Sequence, residues 1–150
     1  PISAVSMKGS WRKLPGTHPL VRRFGRRLPE LWKTNEEGAS LSFRFKGTMA
    51  GVYDLLGPDC GQVIIRLDSS PRKIQPRFDG YCSYHRLSTM TVASGLPDMP
   101  HEVVLKLHGD QPDKRKILQK QRLGDLDKNP EKYDDRAWYA GSIMLIGEIE

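Results

Sequence analysis

Long hydrophobic runs are absent from this chain of 150 residues. No stretch approaches the roughly 18–20 apolar residues that a membrane-spanning helix requires. The charged residues Asp, Glu, Lys and Arg make up 28% of the sequence, which is typical of soluble proteins. The composition therefore predicts a soluble protein without a membrane segment.

Cysteine is scarce as well, since only Cys60 and Cys82 occur. Neither belongs to a C-x-x-C pair, so we expect no structural zinc site and no other metal or cofactor. One disulfide and two buried free thiols are both compatible with the pair.

A complete catalytic motif is also missing. Asp98 and His101 have the D-x-x-H spacing of the acid–histidine block in SGNH/GDSL-type esterases, where the acid orients an imidazole that activates a serine. The nearest counterpart to the G-D-S nucleophile block is "HGDQ", which has Gln111 in place of the serine. We therefore predict that the chain is not an enzyme by itself, and that Asp98 lies in a turn after which His101 begins a strand.

Positive charge is concentrated at the N-terminus. Residues 1–50 hold ten Lys or Arg against three acids, whereas residues 51–100 hold five against five and residues 101–150 nine against ten. The segment "VRRFGRRLPELWK" is a candidate patch for an acidic polymer or for an acidic face of another domain, and a charged edge strand explains it equally well. Its arginines are Arg22, Arg23, Arg26 and Arg27.

Strand patterns dominate the rest of the chain. In "SLSFRFKG" apolar residues alternate with polar ones, which predicts a half-buried strand with Arg44 on its polar face. After a break at residues 47–48, "MAGVYDLL" and "QVIIRLD" predict a hairpin closed by a turn at 57–61, in which Gly61 takes the left-handed conformation. This turn explains Asp59 better than a calcium or acid–base site formed with Asp54 does. Pro76 predicts an edge strand, and "GSIMLIGEIE" predicts a fully covered one.

Helix is predicted only in the C-terminal third, at "QPDKRKILQKQR", with a long polar loop after it that has a short helical turn near Glu131. Seven or eight strands without β-α-β alternation predict an all-β fold: an antiparallel β-sandwich of jelly-roll type. We predict one domain, with a basic N-terminal segment and edge strand at 1–39 and a core sandwich at 40–150.

A polar cluster, "RFDGYCSYHR", supplies the candidate binding residues. If it is a strand, Tyr81 and His85 lie on one face, and Tyr84 and Arg86 on the other. An exposed aromatic beside Arg and Asp suits a sugar ring, while a buried Arg–Asp pair that fastens two strands is the alternative. The predicted ligand-binding residues are Arg44, Asp79, Tyr84, Arg86 and Trp138.

The stretches "LSFRFKGTMAGVYDLLGPDCGQVIIRLD", "FDGYCSYHR" and "GLPDMPHEVVLKL" together resemble the galactose-binding-like β-sandwich modules joined to SGNH/GDSL-type hydrolases and carbohydrate esterases. The similarity covers residues 40–108, with a weaker echo in "WYAGSIMLIGE". The family's catalytic domain has no counterpart here, so no catalytic residue is carried over.

The resemblance implies an accessory module, a fragment of a larger secreted or periplasmic hydrolase that acts on polysaccharide. Its partners would be a glycan and the catalytic domain of the same polypeptide. The first hypothesis is glycan binding, and the second is docking against the catalytic domain without a ligand. Binding of nucleic acid through the N-terminal arginines is a third, less favoured hypothesis.

Overall fold

The computed structural model describes residues 1–150, and its regular structure is mostly β-strand. None of its helices has the length and apolar character needed to cross a membrane. The strands are β1 Ser6–Lys8, β2 Arg12–Lys13, β3 Trp32–Thr34, β4 Ser40–Leu56, β5 Gln62–Leu67, β6 Lys73–Pro76, β7 Arg86–Ala93, β8 Met99–Leu107 and β9 Trp138–Ile149, and the helices are α1 Pro19–Phe24, α2 Lys114–Ile117 and α3 Leu123–Lys128.

Strand β4 belongs to both layers of the sandwich. Its first half pairs with β1 and β8, and its second half pairs with β7 and β9. One layer therefore has the order β1-β4-β8-β5-β6 and the other β2-β3-β9-β4-β7, and every pairing between strands is antiparallel. The predicted antiparallel β-sandwich is confirmed.

The two predicted strands around residues 47–48 are one strand, and the prediction of a break there is wrong. The pairing of β4 with β9 shifts register between Gly47 and Met49, as in a β-bulge. Gly47 lies opposite Gly147, and a Cβ on either would overlap the backbone of the other strand. The two glycines therefore allow β4 and β9 to approach closely where the long strand passes from one layer to the other.

The core lies between the two layers, as the alternation in the sequence predicts. Inward-facing side chains of β4 and β8 meet those of β7 and β9, and burial of each large one contributes about 1.5–3 kcal/mol. The buried residues of this cluster include Leu41, Phe43, Phe45, Val52, Met90, Val103, Leu105, Leu107 and Trp138.

The predicted hairpin between β4 and β5 is wrong. The second half of β4 is already flanked by β7 and β9, so β5 pairs with β6 and β8 in the opposite layer. Residues 57–61 carry the chain across the sandwich. Gly61 has no positive φ. A side chain at this position would instead crowd Arg136, which lies against it. Strand β6, which ends at Pro76, lies at the edge of its layer as predicted.

The helices and the last strand also differ from prediction. The predicted C-terminal helix is broken into α2, capped by the side chain of Asp113, a 3-10 turn and then α3, which occupies part of the predicted loop. Helix α1 was not expected from the sequence; His18 caps it and Pro19 begins it. The prediction that "GSIMLIGEIE" is a fully covered strand is wrong, because residues 142–145 of β9 are half-buried and residues 146–149 are exposed.

Candidate functional site

The polar cluster at residues 77–85 is a loop between β6 and β7 and not the predicted strand. The Asp79 carboxylate accepts a hydrogen bond from the backbone N–H of Tyr81 at 3.0 Å, which closes a turn. Cys82 points inward against Phe78. Because the backbone turns here, Tyr81 and Tyr84 are both exposed, by 47% and 41%.

The exposed tyrosines are joined by arginines. The Arg86 guanidinium lies 5.3 Å from the ring centroid of Tyr81 and 5.8 Å from that of Tyr84. The Arg122 guanidinium lies 5.6 Å from both rings. We call Tyr81, Tyr84, Arg86 and Arg122 the tyrosine–arginine patch.

Two further charged residues border this patch. Arg23, from α1, lies 5.9 Å from the Tyr84 ring centroid, which brings the N-terminal segment to the patch. Asp79 contacts the Arg86 guanidinium directly. Arg122 donates to the Ser83 hydroxyl at 2.6 Å and has no carboxylate partner. Cation–π contacts thus hold together guanidinium groups that would otherwise repel one another.

Three of the five predicted ligand-binding residues meet at this surface: Asp79, Tyr84 and Arg86. Tyr81 and Arg122 were missed. The Asp-Gly pair at residues 79–80 is a turn signal that would have placed both tyrosines outside a strand. No pattern in the sequence connects Arg122 with a loop about 40 residues before it.

The other two predicted residues lie elsewhere. Arg44 is exposed on the outer face of β4, 3.6 Å from Glu102 and 3.9 Å from Glu150. Trp138 is fully buried, and its ring packs 5.5 Å from that of Trp11. A ring without exposed surface offers no platform to a sugar, so the predicted role of Trp138 does not fit the structure.

The remaining arginines of the N-terminal segment are exposed, and none forms a salt bridge with a carboxylate. Arg22 is in α1, and Arg26 and Arg27 follow it. They extend the positive surface beside Arg23 without touching the tyrosines.

A buried Arg–Asp pair does exist, but its acid is not Asp79. Arg77 donates from Nε and Nη2 to the two carboxylate oxygens of Asp54, both at 2.7 Å. The indole of Trp138 donates to the same carboxylate at 3.0 Å. The pair fastens β4 to the end of β6, so Asp54 serves the interior of the protein.

Asp59, the second acid considered for a calcium or acid–base site, faces different partners. His85 Nε2 lies 2.7 Å from one of its oxygens, and the Tyr139 hydroxyl donates to the other at 2.5 Å. Burial opposes ionisation of Asp59, but these hydrogen bonds hold its pKa below the ordinary value. Asp54 and Asp59 thus form no shared site, and the structure contains no group of three acidic, histidine or cysteine side chains able to hold a metal.

The loop at 57–61 is held in place by hydrogen bonds from a buried lysine. The Lys114 ammonium donates to the backbone carbonyls of Pro58, Tyr133 and Asp135 at 2.7–2.9 Å. Burial lowers the pKa of Lys114 to about 8. The loop is therefore a structural connection held by internal contacts.

His101 is paired with Asp68 and not with Asp98. Its Nδ1 lies 2.7 Å from the Asp68 carboxylate, and its Nε2 lies 2.9 Å from the backbone oxygen of Pro97. Both partners are acceptors and so favour a protonated ring, and the hydrogen bond with Asp68 raises the pKa of His101. Because both ring nitrogens are engaged by other groups, neither is free to act as a general base.

The two cysteines are free thiols, and both are buried. Cys60 packs in a cluster with Leu55 and Tyr139, and Cys82 in another with Phe78 and Tyr133. The disulfide that the sequence left open is therefore absent from the structure.

No protein-family model and no curated protein sequence matches the chain. Solved structures do resemble it. A two-domain esterase active on acetylated mannans aligns with a TM-score of 0.62 and 13% identity over 96% of this chain and 33% of that one. A family two carbohydrate esterase from Cellvibrio japonicus aligns with a TM-score of 0.58 and 9% identity over 97% and 31%.

The carbohydrate-binding module CBM36, solved in complex with calcium and xylotriose, is matched over nearly its whole length. It aligns with a TM-score of 0.50 and 9% identity over 95% of this chain and 94% of that one. The resemblance to esterase-linked sandwich modules is confirmed at the level of the fold. The chain spans about a third of the length of the esterases it resembles.

Proposed function

We propose that the chain is a non-catalytic module that binds polysaccharide through the tyrosine–arginine patch. The observation that carries the proposal is the exposure of two tyrosines and several guanidinium groups on one surface of a sandwich. The likeness to CBM36 supports a binding role, and the likeness to part of each carbohydrate esterase supports an accessory one.

The chemistry of the patch suits a sugar. The hydroxyls of Tyr81 and Tyr84 have no hydrogen-bond partner within the protein and are free to bond with sugar hydroxyls. Their exposed rings supply apolar contact with C–H groups, and the arginines supply N–H donors.

The arrangement of His85 and His101 supports the absence of catalysis. The His101 imidazole is occupied on both nitrogens, and the His85 imidazole bonds only with Asp59. Neither imidazole bonds to a serine hydroxyl or a thiol that it would activate. The isolated chain is accordingly expected to hydrolyse no acetyl ester.

Affinity gel electrophoresis against a panel of soluble polysaccharides tests the proposal. The chain is expected to be retarded by at least one of them, and the double variant Tyr81→Ala/Tyr84→Ala is expected to lose that retardation. Met99→Ala, which truncates a half-exposed side chain on β8, is the matched control and retains it. Circular dichroism checks that each variant is folded. Equal retardation of the double variant and the parent chain would refute the assigned surface.

Docking against a catalytic domain is a second candidate, and it is favoured by the exposed arginines that have no ionic partner. If a longer chain contains this segment and an esterase domain, Arg22→Gln/Arg26→Gln/Arg27→Gln is expected to reduce the stability of the esterase domain while leaving polysaccharide retardation intact. Loss of retardation without loss of stability would assign these arginines to ligand binding instead.

A further inference from the structure

We infer that the ligand of the tyrosine–arginine patch is an acidic polysaccharide, one whose sugars carry carboxylates. This inference rests on the proposed function and specifies the chemical class of ligand. Three guanidinium groups surround Tyr84, those of Arg23, Arg86 and Arg122. Asp79 is the one carboxylate that contacts them.

The charge of this carboxylate is already engaged. One oxygen of Asp79 contacts Arg86, and the other accepts from the Tyr81 backbone and from the Cys82 thiol. Arg122 and Arg23 have no carboxylate within salt-bridge distance. The patch and the bordering Arg23 therefore present two uncompensated positive charges, which an incoming carboxylate would neutralise.

Unpaired hydrogen-bond donors also outnumber unpaired acceptors at this surface. Arg23 makes no hydrogen bond, and Arg122 bonds only with Ser83 and Gln119, so several guanidinium N–H donors face solvent unpaired. The free acceptors are few, because Asp79 is used. A neutral sugar hydroxyl both donates and accepts, whereas a uronate carboxylate only accepts and matches a surface rich in donors.

Nucleic acid, the other common polyanion, fits the patch less well. Proteins bind single strands largely by stacking bases on the faces of aromatic rings. Guanidinium groups already lie within 6 Å of the centroids of Tyr81 and Tyr84, with two at Tyr81 and three at Tyr84. A base would therefore compete with these guanidinium groups for the rings, while both tyrosine hydroxyls remain available to a sugar.

Isothermal titration of the whole chain with polygalacturonate, and with the same polymer after reduction of its carboxylates to alcohols, tests the inference. Reduction is expected to weaken binding about tenfold or more. Arg122→Gln and Arg23→Gln are each expected to weaken binding of polygalacturonate several-fold, and to weaken binding of the reduced polymer by a smaller factor. Arg72→Gln is the control, since Arg72 is exposed and contacts no ring or acid, and it should bind like the parent chain.

The outcomes separate the inference from the proposed function. Equal affinity for the acidic and the reduced polymer would overturn the inference and leave polysaccharide binding intact. Binding of neither polymer, nor of any polysaccharide in the gel panel, would overturn both. Tighter binding of single-stranded DNA than of polygalacturonate would overturn the inference in favour of nucleic acid. Thermal unfolding of each variant confirms that lost affinity is not lost folding.

Discussion

Removal of Arg77 tests whether its buried ion pair with Asp54 stabilises the protein. Arg77→Met keeps much of the side-chain volume but leaves the Asp54 carboxylate buried, with only the Trp138 indole as a hydrogen-bond partner. Loss of one partner of a buried ion pair costs about 3–5 kcal/mol, because the remaining charge is neither solvated nor compensated. For a domain of this size each kcal/mol lowers Tm by about 2–4 °C, so we expect a decrease of roughly 6–20 °C.

Urea unfolding followed by tryptophan fluorescence measures this cost. Arg115→Met is the matched control, because Arg115 contacts Asp127 at the same distance of 2.7 Å, but both side chains are about 60% exposed. An exposed pair contributes about 0–1 kcal/mol, so the control should unfold almost like the parent chain.

A double variant identifies the cause. Asp54→Asn/Arg77→Met removes both charges and keeps an acceptor for Trp138, so it should be destabilised by less than the sum of the single variants. If Arg77→Met and Arg115→Met had equal effects, or if the double variant showed the full sum, burial of the ion pair would not account for its role.

Three further predictions concern residues outside the patch. The pKa of His101 in the folded state is raised above its unfolded value of about 6.5. The contribution of His101 to stability is therefore complete below pH 6.5 and is lost as the pH rises through the folded-state pKa. His101→Asn should flatten the fall in the urea midpoint above pH 6.5, and an unchanged profile would contradict the pairing with Asp68. Burial raises the pKa of Cys82 to about 12 and that of Cys60 well above its ordinary value, so neither thiol should react with Ellman's reagent until urea unfolds the chain; rapid reaction of the native protein would argue against this burial. Arg44→Gln should leave affinity for polysaccharide within twofold of the parent value, since Arg44 contacts Glu102 and not the patch, and a larger loss measured by titration would return Arg44 to the binding surface.

Much of the sandwich is predictable because its strands alternate apolar and polar residues. The inward side chains of β8 and of the first half of β4 follow directly from that period. The path of the chain between the layers cannot be predicted from that period. Residues 57–61 have the composition of a hairpin turn, but the pairing of β4 with β7 and β9 leaves no edge for β5. Long-range pairing therefore overrides a local turn signal.

The candidate site is predictable only in part, for a related reason. Asp79, Tyr84 and Arg86 are close in sequence, and their composition points to a polar surface. Arg23 and Arg122 join them only because α1 and the turn before α3 pack beside the same loop. No period or spacing in the sequence predicts that Arg23 and Arg122 contact this loop. Trp138 shows the opposite case, since its burial depends on the opposing layer and not on its neighbours in sequence.

The binding surface can be located by mapping where a polysaccharide contacts the protein. At 17.0 kDa the chain suits two-dimensional NMR with nitrogen-15 labelling. On titration with oligogalacturonate, we expect the amide signals of residues 79–86 and of Arg122 to shift most, while those around Arg44 stay in place. Shifts concentrated around Arg44 would contradict the assignment of the tyrosine–arginine patch as the binding site, and no shifts at all would overturn an acidic polysaccharide as its ligand.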